Sequence, residues 1–176
     1  MLAGNSYYGA VDSVLYNSYS INDKRKDVFF KSISGRIAFT GSYYGSSFFD
    51  GLAIDELYLI RAECNARKNN TALALQDLNA LLVKRWKTGQ FIPIIANDAT
   101  DALDKIIAER RKELCFRGIR WTDLRRLNKD SQFAKTITHG LLGTSTIYTL
   151  LSNDNKYVWP IPSSEVMYSN IPQNPR

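Results

Sequence analysis

The chain has 176 residues, of which 44% are hydrophobic and 23% charged, which is the composition of an ordinary globular protein. Its length fits one domain or a large part of one. No apolar stretch approaches the ~18 residues that a membrane-spanning helix needs. The N-terminus lacks the basic start and apolar run of a signal peptide, so the sequence predicts none there.

The formal net charge of +6 is concentrated between Asp104 and Lys129, where nine Lys and Arg stand against four Asp and Glu. Such a surplus is compatible with binding to nucleic acid or another anionic partner. It is also typical of a solvated helix face whose cations form ion pairs, and this is the interpretation we favour. The sequence therefore predicts no nucleic-acid partner.

Residues 1–50 are rich in Tyr, Ser, Gly, Asn and Phe, which predicts loops and one β-hairpin. The hairpin joins residues 28–30 to 36–39 through a turn at Ser34 and Gly35. The following Ser/Gly-rich loop carries aromatic side chains that are suited to stacking on the flat face of a sugar ring. Our expected ligand-binding residues are Tyr43, Tyr44 and Phe48. Packing of these aromatics on the first long helix is the alternative.

Residues 51–128 have helical periodicity and form the predicted helical core. Two helices at about 52–67 and 71–87 are joined by so short a turn that they must lie antiparallel. A third helix at about 100–117 ends at Gly118, and a short fourth helix surrounds Trp121. We predict a mainly α fold of TPR-like (tetratricopeptide-like) antiparallel helix pairs with irregular loops and small β-hairpins.

The small, turn and small positions of a TPR helix pair fall at Ala62, Asn69 and Ala74. The first helix is apolar on two sides, and the chain offers few partners to cover both. We therefore expect an exposed apolar patch and self-association of this chain. The expected contact residues are Tyr8, Tyr19, Leu52, Leu59 and Ala66.

Residues 129–176 predict a hairpin and an extended tail. The hairpin pairs 146–150 with 157–159 across the polar turn at 153–155. The tail is extended because it contains Pro160, Pro162, Pro172 and Pro175.

The densest charge cluster is at residues 109–113. Glu109 and Glu113 share a helix face, as two catalytic carboxylates would, but the surrounding cations would keep both ionised. Acid catalysis needs one carboxyl held protonated. We therefore predict local structural pairs, Arg110 with Glu113 and Glu113 with Arg117.

The remaining reactive residues predict no enzyme, cofactor or metal site. His139, the only histidine, lies in a loop-like stretch without the nucleophile of a Ser-His-Asp triad. Cys64 and Cys115 have no metal or redox spacing, and we interpret both as buried core residues.

Three blocks, in order along the chain, resemble the C-terminal region of the SusD/RagB family. The first block is residues 56–63 with Ala72, Leu73 and 77–79. The second is 109–114 with Gly118, Arg120, Trp121, Asp123, Leu124 and Arg126. The third is 160–162 with Glu165, Asn170 and 173–175. Residues 22–25 also resemble an upstream acid-basic element of the family. Arg117 departs from the pattern, since family members often carry Glu there.

The resemblance implies a surface-exposed lipoprotein of the outer membrane in Bacteroidetes-type bacteria. Such proteins bind glycans or other nutrients, without catalysis, and deliver them to a TonB-dependent, SusC-like transporter. Family members are longer, so we expect residues 1–176 to be the C-terminal region of a larger protein. A TPR-like scaffold that binds only proteins remains the alternative, because the helix pair supports it equally.

Overall fold

A computed structural model describes residues 11–41, 49, 51–140 and 145–176. The chain divides into two compact units, Met1–Gly118 and Ile119–Arg176. The boundary lies inside the segment 51–128, which the sequence pattern treats as one helical core. It follows a turn in which Gly118 has a φ of +73°, a left-handed conformation that glycine adopts without strain.

The first unit is mainly helical, as predicted. Its elements, in chain order, are α1 (Ser13–Asn17), α2 (Lys24–Phe29), β1 (Phe30–Ile33), β2 (Arg36–Phe39), α3 (Ile54–Arg67), α4 (Thr71–Leu82) and α5 (Ala99–Glu113). The predicted antiparallel helix pair and third helix are confirmed as α3, α4 and α5. The predicted ends of α4 and α5 lie too late in the chain, because Leu82 and Glu113 are followed by turns.

Close packing of α3 with α4 and α5 forms the main core of the first unit. Ala62 of α3 and Ala74 of α4 are completely buried, so the small side chains let the two helices approach closely. Asn69 turns the chain between them with a φ of +62°, a conformation that Asn tolerates better than most residues. The TPR-like positions read from the sequence therefore have the expected roles.

The orientation of α3 is the reverse of the one expected from the sequence, because the face predicted to point outward packs into the core. Leu59 and Ala66 are buried because α4 and α5 pack against them. Leu57 and Ile60, on the other stripe, are 57% and 43% exposed. The prediction that Leu59 and Ala66 form an outer contact surface is therefore wrong.

A smaller core in the first unit is largely aromatic. Tyr19, Phe30 and Cys115 are buried together, and the Tyr19 hydroxyl donates a hydrogen bond to the carbonyl of Lys112 at 2.7 Å. Tyr19 is thus a core residue and not the contact residue that was expected. Of the other expected contacts outside α3, Leu52 is exposed and Tyr8 lies outside the described residues.

The first hairpin is confirmed, with Phe30 opposite Phe39 and Ile33 opposite Arg36. Ser34 and Gly35 both have positive φ, as the tight turns of two-residue hairpins require. Residues 28 and 29, predicted as strand, belong to α2.

The second unit contains α6 (Arg120–Leu127), β3 (Ile137–Gly140), β4 (Ile147–Leu150), a short 3₁₀ helix (Asn155–Tyr157) and α7 (Ser163–Ser169). The short fourth helix is confirmed as α6. The predicted pairing of 146–150 with 157–159 is wrong, because β4 pairs with β3 and residues 155–157 coil into a helical turn. His139 lies on β3 opposite Tyr148, and not in a loop.

Two amide side chains near the C-terminus hold an irregular part of the second unit. Gln173 accepts a hydrogen bond from the backbone N–H of Ile161 and donates one to its carbonyl, each at 2.8 Å. The Asn174 amide donates to the carbonyl of Trp159 at 2.8 Å. The predicted extended tail is interrupted by α7, and these bonds connect the residues on its two sides.

The two cysteines are both free thiols, but they differ in exposure. Cys64 is exposed, which corrects the expectation that both are core residues, and Cys115 is buried. Burial raises the pKa of the Cys115 thiol to about 11, and the Tyr19 hydroxyl lies 3.6 Å from its sulfur.

We expect a disulfide reagent at pH 8 to modify Cys64 rapidly and Cys115 only after unfolding. The thiolate is the reactive form, and at this pH very little of Cys115 is ionised. The measurement is the rate at which the reagent releases its own thiol, with and without denaturant. The control is the Cys64→Ser variant. Rapid reaction of the native Cys64→Ser variant would contradict the buried position of Cys115.

Candidate functional site

A cavity of about 310 Å³ opens in the first unit, beside α2, β2 and the turns that follow α4 and α5. This volume is at the lower end of the range for small-molecule sites, roughly 300–1,000 Å³. We call it the aromatic cavity, because four phenylalanines contribute to its lining. The lining residues are Lys24, Arg25, Val28, Phe29, Phe39, Gly41, Phe49, Lys84, Arg85, Glu113, Cys115, Phe116 and Arg117.

The apolar wall of the aromatic cavity is built by ring stacking. Phe39 and Phe116 stack with ring centroids 4.4 Å apart and an interplanar angle of 14°. Phe116 has a φ of +60° in the turn after α5, an uncommon conformation for a bulky residue. Its side chain remains 42% exposed. Gly41 approaches Phe29 so closely that an added Cβ would lie 2.7 Å from the Phe29 Cα.

Three charged residues of the lining, Arg25, Arg85 and Glu113, belong to a set of buried ion pairs centred on Arg25. The Arg25 guanidinium lies 2.6 Å from Asp23, 2.8 Å from Glu109 and 2.9 Å from Glu113, and its side chain is only 3% exposed. Burial alone would lower the pKa of Arg25. The hydrogen bond to Asp23 and the charges of Glu109 and Glu113 outweigh that effect and raise the pKa above its ordinary value.

Glu113 is shared between two arginines. One carboxylate oxygen accepts from Arg25, and the other accepts from Arg85 at 2.7 Å. Two arginines thus hold a side chain that is 1% exposed, with one carboxylate oxygen directed at each of them. Together, Asp23, Arg25, Arg85, Glu109 and Glu113 form what we call the charge network.

A second group of ion pairs joins the turn after α5 to the start of α3. Arg117 donates to Asp55 at 3.1 Å and to the carbonyl of Gly51 at 2.6 Å. Arg110 donates to Glu56 at 3.1 Å. The predicted local pairs of Glu113 with Arg110 and Arg117 are therefore wrong. Arg117 lies beyond the end of α5, where the helical spacing of that pair no longer applies.

Backbone contacts position the cations at the cavity. Asp23 caps α2 by accepting from the N–H of Arg25, and it forms an isolated antiparallel bridge with Trp86. The N–H of Lys24 donates to the carbonyl of Arg85 at 2.8 Å. The start of α2 is therefore fixed to the segment after α4, which places Lys24 next to the stretch that carries Lys84 and Arg85.

The ligand-binding residues expected from the sequence, Tyr43, Tyr44 and Phe48, lie outside the described residues. Gly41 and Phe49, which precede and follow residues 42–48, both line the aromatic cavity. The sequence signal that might have located the cavity is the cluster of phenylalanines at 29, 30, 39 and 49. That signal does not separate buried from exposed rings, and Phe30 is buried in the smaller core.

Many cations of the basic region 104–129 have acidic partners. The pairs are Lys105–Asp101, Arg110–Glu56, Arg111–Asp12, Lys112–Glu109, Arg117–Asp55 and Arg126–Asp123. The favoured interpretation of this region as ion-paired helix surface agrees with these contacts. In the described part of the chain, no group of three or more His, Cys, Asp or Glu could hold a metal ion. None of the described helices combines the length and apolarity needed to cross a membrane.

Comparison with known proteins identifies a family. A model of the SusD family matches residues 52–176. A solved SusD-like carbohydrate binding protein from Bacteroides vulgatus ATCC 8482 is similar with a TM-score of 0.60 and 22% identity, over 93% of this chain and 42% of that one. A SusD superfamily protein from Bacteroides fragilis NCTC 9343 has a TM-score of 0.60 and 18% identity, over 93% and 40%.

The chain thus spans less than half the length of either solved structure, and at these identities the likeness is one of fold. The comparison with curated proteins found no match.

The charge network yields a stability prediction. We expect Arg25→Met to destabilise the first unit by about 3–5 kcal/mol, because it leaves two buried carboxylates and the partly buried Glu109 without this partner. Urea unfolding followed by circular dichroism is the measurement. The matched control is Lys105→Met, which removes the more exposed i,i+4 ion pair with Asp101 and should change the unfolding midpoint little. Equal shifts for the two variants would contradict a buried, interdependent network.

Proposed function

Since the chain belongs to the SusD family, we propose that it binds glycans or other nutrients at the cell surface without changing them chemically. The observation that carries the proposal is an aromatic-lined cavity in a chain of this family. Ligand sites combine apolar and aromatic walls with a few fixed polar groups, and this cavity has both. A sugar ring presents a flat C–H face that matches a phenylalanine ring.

A role in uptake follows from the same membership. We place the protein at the outer membrane as a surface lipoprotein that delivers its ligand to a TonB-dependent, SusC-like transporter. The solved neighbour from Bacteroides vulgatus is a SusD-like carbohydrate binding protein by name, which supports glycans as the ligand class. The transporter partner rests on the family alone.

Binding without catalysis is consistent with the chemistry of the cavity. Glu113 is the acidic side chain that lines it, and both of its oxygens accept from arginines. Both oxygens of this carboxylate are therefore already engaged inside the protein. Its role is therefore to hold the cavity wall in place.

A protein-binding scaffold is the second candidate function. One face of α3 supports it, because Leu57 and Ile60, three positions apart, are 57% and 43% exposed. Exposed apolar residues grouped on one face are typical of interaction sites. This candidate predicts no affinity for any saccharide.

We expect Phe116→Ala to weaken saccharide binding about tenfold, which is the upper range for loss of one aromatic contact. The measurement is isothermal titration against a panel of polysaccharides. The matched control is Tyr148→Ala, which removes an exposed aromatic side chain outside the cavity lining. Equal affinity of the wild type and Phe116→Ala would exclude the cavity as the site. Failure of every polysaccharide to bind would favour the scaffold.

We also propose Tyr43, Tyr44 and Phe48 as ligand contacts, because the residues on both sides of their segment line the cavity. The triple alanine variant should bind the same polysaccharide more weakly and keep its unfolding midpoint. Gel retardation in polysaccharide-containing gels is a suitable measurement. Unchanged retardation would remove the three residues from the site and leave the described lining as its whole extent.

A further inference from the structure

Two lysines at the aromatic cavity are chemically distinct from its arginines. Lys24 begins α2, and Lys84 follows α4; both are exposed and line the cavity. The hydrogen bond from the Lys24 N–H to the Arg85 carbonyl fixes one beside the other in the fold. The backbone segments that carry the two lysines therefore lie side by side at the cavity.

These two ammonium groups have no acidic partner in the part of the chain that the structure describes. The carboxylate of the lining, Glu113, is already shared by Arg25 and Arg85. Arg117 is paired with Asp55. Within the described residues, acidic partners thus compensate the arginine charges but not those of Lys24 and Lys84.

We infer that the aromatic cavity selects acidic glycans, whose sugar rings carry a carboxylate or a sulfate group. This inference rests on the proposed function and adds the chemical class of the saccharide. The apolar face of the ring would lie against Phe116 and Phe39, and the anionic group would meet the two lysines. A charge-assisted hydrogen bond from an ammonium group to an anion is stronger than a bond between neutral groups.

The inference rests on the combination of an apolar surface, formed by Phe116 and Phe39, with a cationic surface, formed by the two lysines. A small inorganic anion could use the lysines but would leave the apolar wall and most of the cavity empty. A neutral sugar could use the wall but would leave Lys24 and Lys84 without an anionic partner from the ligand. Only a ligand with both a ring face and an anionic group satisfies both surfaces.

The test uses saccharides in matched pairs, each pair differing only in charge. Polygalacturonate, alginate and glucuronan oligosaccharides are compared with their methyl esters, and sulfated galactan oligosaccharides with their desulfated forms. Titration calorimetry is run on the wild type and on the double variant Lys24→Met and Lys84→Met. The control is Lys31→Met with Lys68→Met, which removes the same charge from exposed residues outside the cavity lining.

We expect the wild type to prefer the charged member of at least one pair by about tenfold, and the Lys24/Lys84 variant to lose that preference. The neutral member should bind both proteins equally. The control variant should keep the preference. The uronate and sulfate arms show which anionic group is recognised.

Three outcomes would overturn the inference. If neutral members bind as well as charged ones, acid selectivity fails while the proposed glycan binding stands. If the control variant loses the preference as fully as the cavity variant, the effect is one of net charge and not of the cavity. If no saccharide binds in any arm, the proposed function fails, and the inference fails with it.

Discussion

The buried guanidinium of Arg25 is the constraint on which the rest of the first unit depends. An arginine removed from water is tolerated only when its charge and its donors are matched, and Arg25 meets three carboxylates within 2.9 Å. Those carboxylates come from the start of α2 and from α5, and Glu113 extends the contact to Arg85 after α4. Elements distant in the sequence are thereby held in one arrangement.

The charge network also determines the geometry of the aromatic cavity. Arg25, Arg85 and Glu113 are members of the charge network and also line the cavity, so the wall that would meet a ligand is fixed before a ligand arrives. Preorganisation of this kind reduces the entropy lost on binding. Because Arg25, Arg85 and Glu113 are paired with one another, their charges are not available to pair with a charged ligand. The arginines therefore hold the fold, whereas Lys24 and Lys84 are exposed residues of the cavity lining.

Local rules predicted the helices well and the charged contacts poorly. The apolar period of α3 and α4 and the turn at Asn69 follow from residues close together in sequence. The partners of Arg110 and Glu113 depend on which elements meet in space, which one sequence does not show. For the same reason, the sequence did not show which of the two apolar faces of α3 packs against α4 and α5. The partner of β4 was misassigned because Asp154 caps a helical turn, accepting from the N–H of Lys156 at 2.8 Å, where a hairpin turn was expected.

The Gln173 side chain makes with Ile161 the pair of hydrogen bonds that a neighbouring strand would make. Because one amide both donates to and accepts from Ile161, Gln173 can pair with that residue and with no neighbour of it. Insertion or deletion of one residue in α7 would shift both bonds together. The side chains of Gln173 and Asn174 thus fix which residues of the two segments lie opposite each other. Evolution of this segment should proceed by substitution and not by change of length.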